Sequence, residues 1–408
     1  MISGHLSQYF TGLAAKILSA VEVNPGRSNQ HEFNGVGGLK NILGEPEGTV
    51  RYKTTFMYLD DENDPLTSEG NTSWYDARQR GREERGVMRY EYRLYFPSNT
   101  VTEMASERDI LVIAKLADNT LLAIVANPET TIAHQILWLL GFKELPHSGF
   151  NVREDLDEDS DTIKYASSII LENIGITVDT SDDSFLDNIL SKFGASFPTT
   201  RDFSSYAQST LPDIHPEDGC DSTLIAWLER EELLFRTLEK HIVEEKLKEG
   251  FNENVDEFIS YSLSVQNRRK ARAGLALENH LEAIFKKLDV KHSRTPVSEN
   301  NSKPDFIFPG KEEYHTDSFD TSLLTMLGVK STCKDRWRQV LYEADRIKNK
   351  HLLTMETAIS NNQTEEMKSY NLQLVLPEEL HSSFLPEQQL WLMNLKEFIG
   401  MVLVNQGS

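Results

Sequence analysis

Cysteine is nearly missing from this 408-residue chain, with Cys220 and Cys333 the two present. Two thiols make neither a disulfide framework nor a zinc-binding pattern, and a reducing cytoplasm is the simplest setting. Long apolar runs are missing too. No stretch approaches the ~18 apolar residues that span a bilayer. The longest, near Ile136–Phe142, is of core length. The opening MISGHLSQYF lacks the basic start and apolar centre of a signal peptide. No membrane partner is expected. Positive charge is also scarce: 42 Lys and Arg against 64 Asp and Glu leave a net charge of -22. On its face this argues against nucleic acid, because DNA binders gain affinity by neutralising phosphates. Binding answers to local fields, however, so the places where cations concentrate decide the matter.

What is present is ordinary protein, 39% hydrophobic and 26% charged. A single core rarely grows past ~250–300 residues, so two domains are expected. Residues 1–150 read as a mixed, β-rich domain. An opening helix over Gln8–Ala20 is followed by strands at Arg51–Leu59, Met88–Phe96, Asp109–Leu116 and Leu121–Ala126, with a hairpin turn at 117–119 and a helix over Ile132–Leu140. Residues 151–220 read as an acidic, loop-rich linker. EDLDEDSD at 154–161 holds six acids in eight positions, Thr162–Gly175 looks helical, and Phe197–Asp221 carries three prolines among Ser, Thr and Asp. Residues 221–408 form an α/β domain. Helices are expected at Leu224–Lys248, Val255–Val265, Leu275–Leu288 and Asp335–Leu353, around apolar strands at DFIF and Leu323–Lys330. No internal repeat is present.

The chemistry concentrates in this last part. In PDFIF, Asp305 stands at the edge of a strand directly after a proline, which holds a carboxylate rigid at a sheet end; a surface turn is the plainer reading. Lys330, 25 residues on, closes the next apolar strand, where a lysine is unusual unless it reaches to water. Hydrolysis of a phosphodiester explains both. Carboxylates hold Mg²⁺, the metal activates water and stabilises the phosphorane, and a lysine orients the attacking water or the phosphate. Glu343, 13 residues further, would point back from the following helix as a second metal ligand beside Asp305; alternatively it pairs in solvent with Lys350 or Arg346. Glu278 and Glu282 share a helix face, and one of them suits a fourth catalytic position. NRRKARAG at 267–274, with Arg268 and Arg269, is either a phosphate clamp or a charged helix start. Lys334, Asp335 and Arg336 would open a helix. Arg reads guanine and Asp accepts from cytosine, so the triplet suits G·C pairs; a capped helix with surface charges is the alternative.

These stretches, SVQNRRKARAGLALENHLEAIF, KPDFIFPG, EEYHTD and MLGVKSTCKDRWRQVLYEADRI, resemble in order and spacing the C-terminal catalytic domain of the EcoRII-type restriction endonucleases, over about residues 220–400. The resemblance implies the PD-(D/E)xK restriction-endonuclease-like fold, Mg²⁺-dependent cleavage of double-stranded DNA, and a homodimer with one active site per strand. Most such nucleases place an acid two positions before the lysine. Here that position is Gly328, and Glu343 matches the carboxylate that a permuted site draws from the following helix. Asp305, Lys330 and Glu278 match the other catalytic positions. Lys334, Asp335 and Arg336 match the readers of a CC…GG-type site, and Tyr314 matches a tyrosine near the active site whose role stays open. The first 150 residues resemble the family less. TSWYDARQRGREERG at 72–86, with Arg78, Arg80, Arg82 and Arg85, is locally similar to an element of its B3-like pseudobarrel, which binds an effector copy of the target. A solvated loop is the alternative.

The expectation is a site-specific endonuclease of restriction or phage defence whose N-terminal domain regulates the catalytic one by autoinhibition. The rival readings are a ligand-activated defence nuclease of low specificity and a non-catalytic DNA-binding regulator.

Overall fold

A computed structural model describes residues 5–23, 31–33, 36–85, 89–143, 145, 149–156, 167, 170–172, 174–176, 181–333 and 336–407. The chain divides into two compact units. One holds residues 3–163 and 170–177, and the other residues 1–2, 164–169 and 178–408.

The N-terminal unit is built on strands β1 (Phe10–Ile17), β2 (Glu32–Phe33), β3 (Thr49–Leu59), β4 (Leu66–Asp76), β5 (Tyr92–Tyr95), β6 (Ile110–Leu116), β7 (Leu121–Ala126) and β8 (Asn151–Arg153). They form an eight-stranded sheet in the order β2-β5-β4-β3-β7-β6-β1-β8. β3 and β4 pair as a long antiparallel hairpin, while β3 and β7 run parallel. The expected hairpin over 117–119 joins antiparallel β6 and β7, with Asn119 at φ 67°. Asn tolerates this left-handed backbone better than most residues. The expected opening helix is instead β1. Leu13, Ala14 and Ala15 are all fully buried. A strand covered on both faces reads as a continuous apolar run, which periodicity cannot tell from a helix. The strand expected over Met88–Phe96 shrinks to β5. Helix α1 (Gln79–Arg85) precedes it and carries the arginine cluster. α2 (Thr131–Leu139) realises the helix expected there, with Asp61 accepting from the N–H groups of Thr131 and Ile132 at its amino end.

Most of the acidic run at 154–161 and of Thr162–Gly175 lies outside the described residues. Beyond it, the stretch expected to be loop-rich contains helices α3 (Leu186–Phe193) and α4 (Thr200–Ser209). Ile189, Phe203 and Ala207 from these helices share a core with Leu234 and Leu238 of α5 (Cys220–Glu249). The prolines at 198 and 212 bracket α4 rather than prevent it, as prolines outside a helix interior do.

The helices expected at Val255–Val265 and Leu275–Leu288 are one helix, α6 (Val255–Lys287). Gly274 sits inside it, at a cost of only ~1 kcal/mol relative to Ala. A five-stranded sheet follows, of β9 (Ser293–Arg294), β10 (Phe306–Phe308), β11 (Thr325–Lys330), β12 (Lys350–Thr354) and β13 (Leu372–Val375), in the order β13-β12-β11-β10-β9. β11, β12 and β13 are parallel, and β10 is antiparallel to β11. Phe285 of α6 packs edge-on against Phe306 and Phe308, both ring pairs at 5.2 Å, and Phe398 of α7 (Leu395–Asn405) meets Phe308 at 5.6 Å. This wedge clamps β10, the strand that follows Asp305, between two helices. Among the described residues no helix is long and apolar enough to cross a membrane.

The helix expected over Asp335–Leu353 is the largest misreading in this unit. The observed helix covers only Trp337–Val340, after which the chain turns and enters β12. Ala344 adopts φ 51°, a conformation costing an L-residue ~1–2 kcal/mol. The buried Lys350 ammonium holds it there, donating to the carbonyls of Glu343 and Ala344.

Candidate active site

Asp305 sits between three strands. Its carbonyl accepts from Thr295 N–H at 2.9 Å. Its Oδ2 accepts from Val329 N–H at 2.6 Å and from Lys330 Nζ at 2.9 Å. The carboxylate therefore reaches from the start of β10 to the end of β11, and the two residues that lie 25 apart in sequence form a 2.9 Å ion pair. Both side chains are mostly shielded, at 15% and 11% exposure. The pair stands at a sheet end because β10 and β11 run antiparallel, with Phe306 opposite Leu327.

Glu278, on α6, joins this group. Burial raises its carboxyl above the ordinary range and the charge of Asp305 adds to that, while Arg294 and Lys330 oppose. Arg294, on the edge strand β9, donates to Glu278 at 2.9 Å, to Glu282 at 2.7 Å and to Asn279 at 2.8 Å. Glu282, one turn along α6, has the opposite character. Burial alone would raise it, but hydrogen bonds and charge from Lys286 and Arg294 hold it down at about 2. Of the two acids, Glu278 is the one drawn to Asp305, and Glu282 is ion-paired rather than solvated.

Glu343 reaches the site from the turn after Trp337–Val340, not from a long helix. Burial, with a further push from Asp305 and against the pull of Lys330 and Lys350, raises its carboxyl to about 7. Its buried Oε2 has no hydrogen-bond partner among the described residues. The solvent pairings considered from sequence are not made. Lys350 donates to the main-chain carbonyl of Glu343, and Arg346 donates to the carbonyls of Tyr314 and Thr316.

The glycine at the family's usual acid position has a physical explanation. A Cβ on Gly328 would lie 2.8 Å from Val340 Cγ2 and 3.0 Å from Cγ1. Such separations force a shift in a close-packed core. The turn that delivers Glu343 thus excludes a side chain from the place where β11 would otherwise carry one. The same turn is held from behind. Buried Tyr314 gives its hydroxyl to Glu299, whose carboxylate also accepts from Asp345 N–H at 3.2 Å. Tyr314 acts on the site by pinning the segment that bears Glu343. Arg294 and Glu299 were not singled out from sequence, and Lys350 was considered only as a solvent partner of the Glu343 side chain. A charged residue carries no local mark of the partner it meets across the fold.

The cations fare less uniformly. Lys334 and Asp335 lie outside the described residues; Arg336 is exposed, directly before Trp337–Val340. Arg268 and Arg269 lie within α6 rather than at a helix start. The Arg268 guanidinium is 4.0 Å from the Phe197 ring centre, and Arg269 pairs with buried Glu239 at 2.5 Å. In the N-terminal unit Arg78 pairs with Glu91 at 2.5 Å, and Arg82 pairs with Asp76 while lying over Tyr90. Two of the four arginines of that cluster are thus paired with acids of their own unit.

Among the described residues, no three acidic, histidine or cysteine side chains are grouped so as to enclose a metal ion. The donor chemistry nonetheless suits a hard divalent cation. Asp305, Glu278 and Glu343 are all carboxylates; burial, with a smaller push from Asp305, raises the last two, and Glu343 keeps an orphaned buried oxygen. Mg²⁺ is commonly held by one or two carboxylates, with substrate oxygens and water completing its shell.

A mixed sheet with an acid–lysine pair at one end and further carboxylates on flanking elements defines an α/β domain of restriction-endonuclease-like fold. Residues 235–399 match the family model described as EcoRII C terminal. The type II restriction enzyme EcoRII of Escherichia coli is 44% identical over 168 residues, which are 41% of this chain and 41% of that protein. The chain thus matches well under half the length of this relative. Two solved structures are also similar at 16% identity, each covering 55% of this chain and 84% of theirs. They are metal-depleted Ecl18kI with uncleaved, modified DNA, at a TM-score of 0.46, and metal-depleted Ecl18kI with uncleaved DNA, at 0.43.

Proposed function

We propose that this protein is a Mg²⁺-dependent, site-specific endonuclease that cuts duplex DNA in a restriction or phage-defence role. The observation that carries the reading is the Asp305–Lys330 ion pair facing the orphaned carboxylate oxygen of Glu343. A DNA-binding regulator has no use for unmatched buried carboxylates, which are costly to keep. Asp305 and Glu343 would hold the metal, with Glu278 behind them. When bound, Mg²⁺ supplies charge neutralisation at the phosphate and a more acidic water. Lys330, fixed by Asp305, would orient the attacking water and the scissile phosphate. Exposed Arg336, with Lys334 and Asp335, would read G·C pairs of a CC…GG-type site from the major groove. The N-terminal unit would regulate cleavage by binding an effector.

The test is cleavage of unmethylated phage DNA by the full-length protein with Mg²⁺, beside a Lys330→Ala control. Discrete fragments that fall by about 10³-fold or more in the variant are expected, the scale of losing one charge-stabilising group. DNA binding without any cut, in both proteins, would instead favour the regulator.

A further inference from the structure

Asp305 and Glu278 come from different elements and repel each other, so their separation has to be fixed from outside the pair. Arg294 is placed to fix it. Its backbone belongs to β9, where it lies opposite Phe306, and the next residue, Thr295, donates its N–H to the Asp305 carbonyl at 2.9 Å. Its side chain crosses to α6 and is only 14% exposed. Nη1 of the fork donates to Glu282 at 2.7 Å and to Asn279 at 2.8 Å, while Nη2 donates to Glu278 Oε2 at 2.9 Å. One residue thus ties the strand that follows Asp305 to the helix that bears Glu278.

The two ends of the fork are supported differently. Asn279 is held in turn by Ser204 of α4 at 3.1 Å, and Glu282 has Lys286 at 2.6 Å and Arg201 at 3.5 Å besides Arg294. Nη1 is therefore anchored without help from Glu278. Among the described residues, the Glu278 carboxylate hydrogen-bonds to Arg294 alone, through Oε2, and Oε1 makes no hydrogen bond. A planar fork whose donors are fixed relative to each other suits this task, because anchoring one side aims the other.

We propose that Arg294 is a positioning residue of the nuclease site, holding Glu278 beside Asp305 by one oxygen and leaving the other free for the cation. The inference rests on the endonuclease reading, in which Asp305 and Glu343 hold Mg²⁺ with Glu278 behind them.

The sign of one measurement separates positioning from bare charge. A guanidinium near a divalent ion repels it, so deleting Arg294 for its charge alone would tighten metal binding. Loss of position loosens it, because carboxylates around a metal depend on their own hydrogen-bond partners. The probe is Mn²⁺, which shares the preference of Mg²⁺ for oxygen. Its binding to the full-length protein, without DNA, is read from the paramagnetic resonance of the free ion. Arg294→Met is expected to weaken binding about tenfold or more. Arg294→Lys keeps the charge but cannot span both acids, and should fall in between. Glu282→Gln, which removes the other acid of the fork, should leave the affinity nearly unchanged. In a Glu278→Gln background Arg294→Met should no longer weaken binding, since a residue acting through another loses its effect with it. Should Arg294→Met fail to fold, Arg294→Lys against Glu282→Gln carries the same test. Unchanged or tighter binding by the Arg294 variants would overturn the proposal. So would an equal loss in Glu282→Gln, which would make the fork a plain tie between strand and helix, and so would an unaltered protein that binds no Mn²⁺. Cleavage of phage DNA with Mg²⁺ keeps the two readings apart. If the unaltered protein cuts and the Arg294 variants bind Mn²⁺ as well as it does, the positioning role alone is lost. If the expected binding pattern appears in a protein that never cuts, the endonuclease alone is lost.

Discussion

Glu22 and Asp61 of the N-terminal unit and Glu343 and Glu278 of the C-terminal unit are buried acids treated in opposite ways. In the N-terminal unit Glu22 is fully buried, but Lys16 reaches it at 2.7 Å and Ser19 donates to it at 2.6 and 2.9 Å. Asp61, whose carboxyl is raised by burial, takes two N–H groups from the start of α2. In the C-terminal unit Glu343 is left with an orphaned oxygen, and Glu278 shares Arg294 with two other acceptors. An acid with matched donors serves the fold. An acid held near like charge without enough donors marks a site where something else is to complete it.

The sharpest way to break this contrast is Lys16→Met. It leaves the Glu22 carboxylate buried without its cation, which should cost ~3–5 kcal/mol. The loss should appear as an early unfolding step in a denaturant titration. An unshifted transition would mean that Glu22 is not a matched structural charge.

Glu343→Gln should act in the opposite direction. A carboxyl raised to about 7 binds its proton more tightly in the folded state. Its contribution is therefore present below its unfolded value and is lost as pH rises through about 7. At pH 8 without metal, removing the charge should stabilise the protein by ~1–3 kcal/mol. The gain should shrink as pH falls and vanish only below the ordinary value of 4.5, and cleavage should fail at every pH. Melting curves in a chelator decide this; a destabilised variant at pH 8 would show that the carboxylate has partners after all.

Glu282→Gln sharpens the comparison within α6. Its carboxyl is depressed to about 2, so its stabilisation is present above the unfolded value and disappears as pH falls towards 2. A loss of ~1–2 kcal/mol near neutrality, absent in strong acid, is expected after discounting for the exposed part of Lys286. An equal loss at both extremes would point to packing rather than charge.

Much of the C-terminal half was legible in the sequence. Asp305 and Lys330 were readable because each breaks an apolar strand at its end. Glu278 was readable because helical spacing separates it from the core stripe of α6. Glu343 was expected on a long helix; its approach to Asp305 and Lys330 depends instead on a turn at Ala344 that no Gly or Pro announces, and that a lysine six residues later stabilises. The contacts of Arg268 with Phe197 and of Arg269 with Glu239 were not readable, because clustered cations look alike in sequence whatever they meet in the fold. In the N-terminal half the opening strand was lost to a run buried on both faces.

By itself, then, the sequence determined the strands and helices whose apolar spacing is unambiguous, and the residue types able to do phosphodiester chemistry. These are local properties, set by side-chain period and by chemical character. Only the tertiary structure decided which of the acids are matched and which are not. Charge matching depends on groups that arrive from distant elements: Arg294 from an edge strand, Lys350 from the start of another, and Val340, whose side chain leaves no room for a side chain at Gly328.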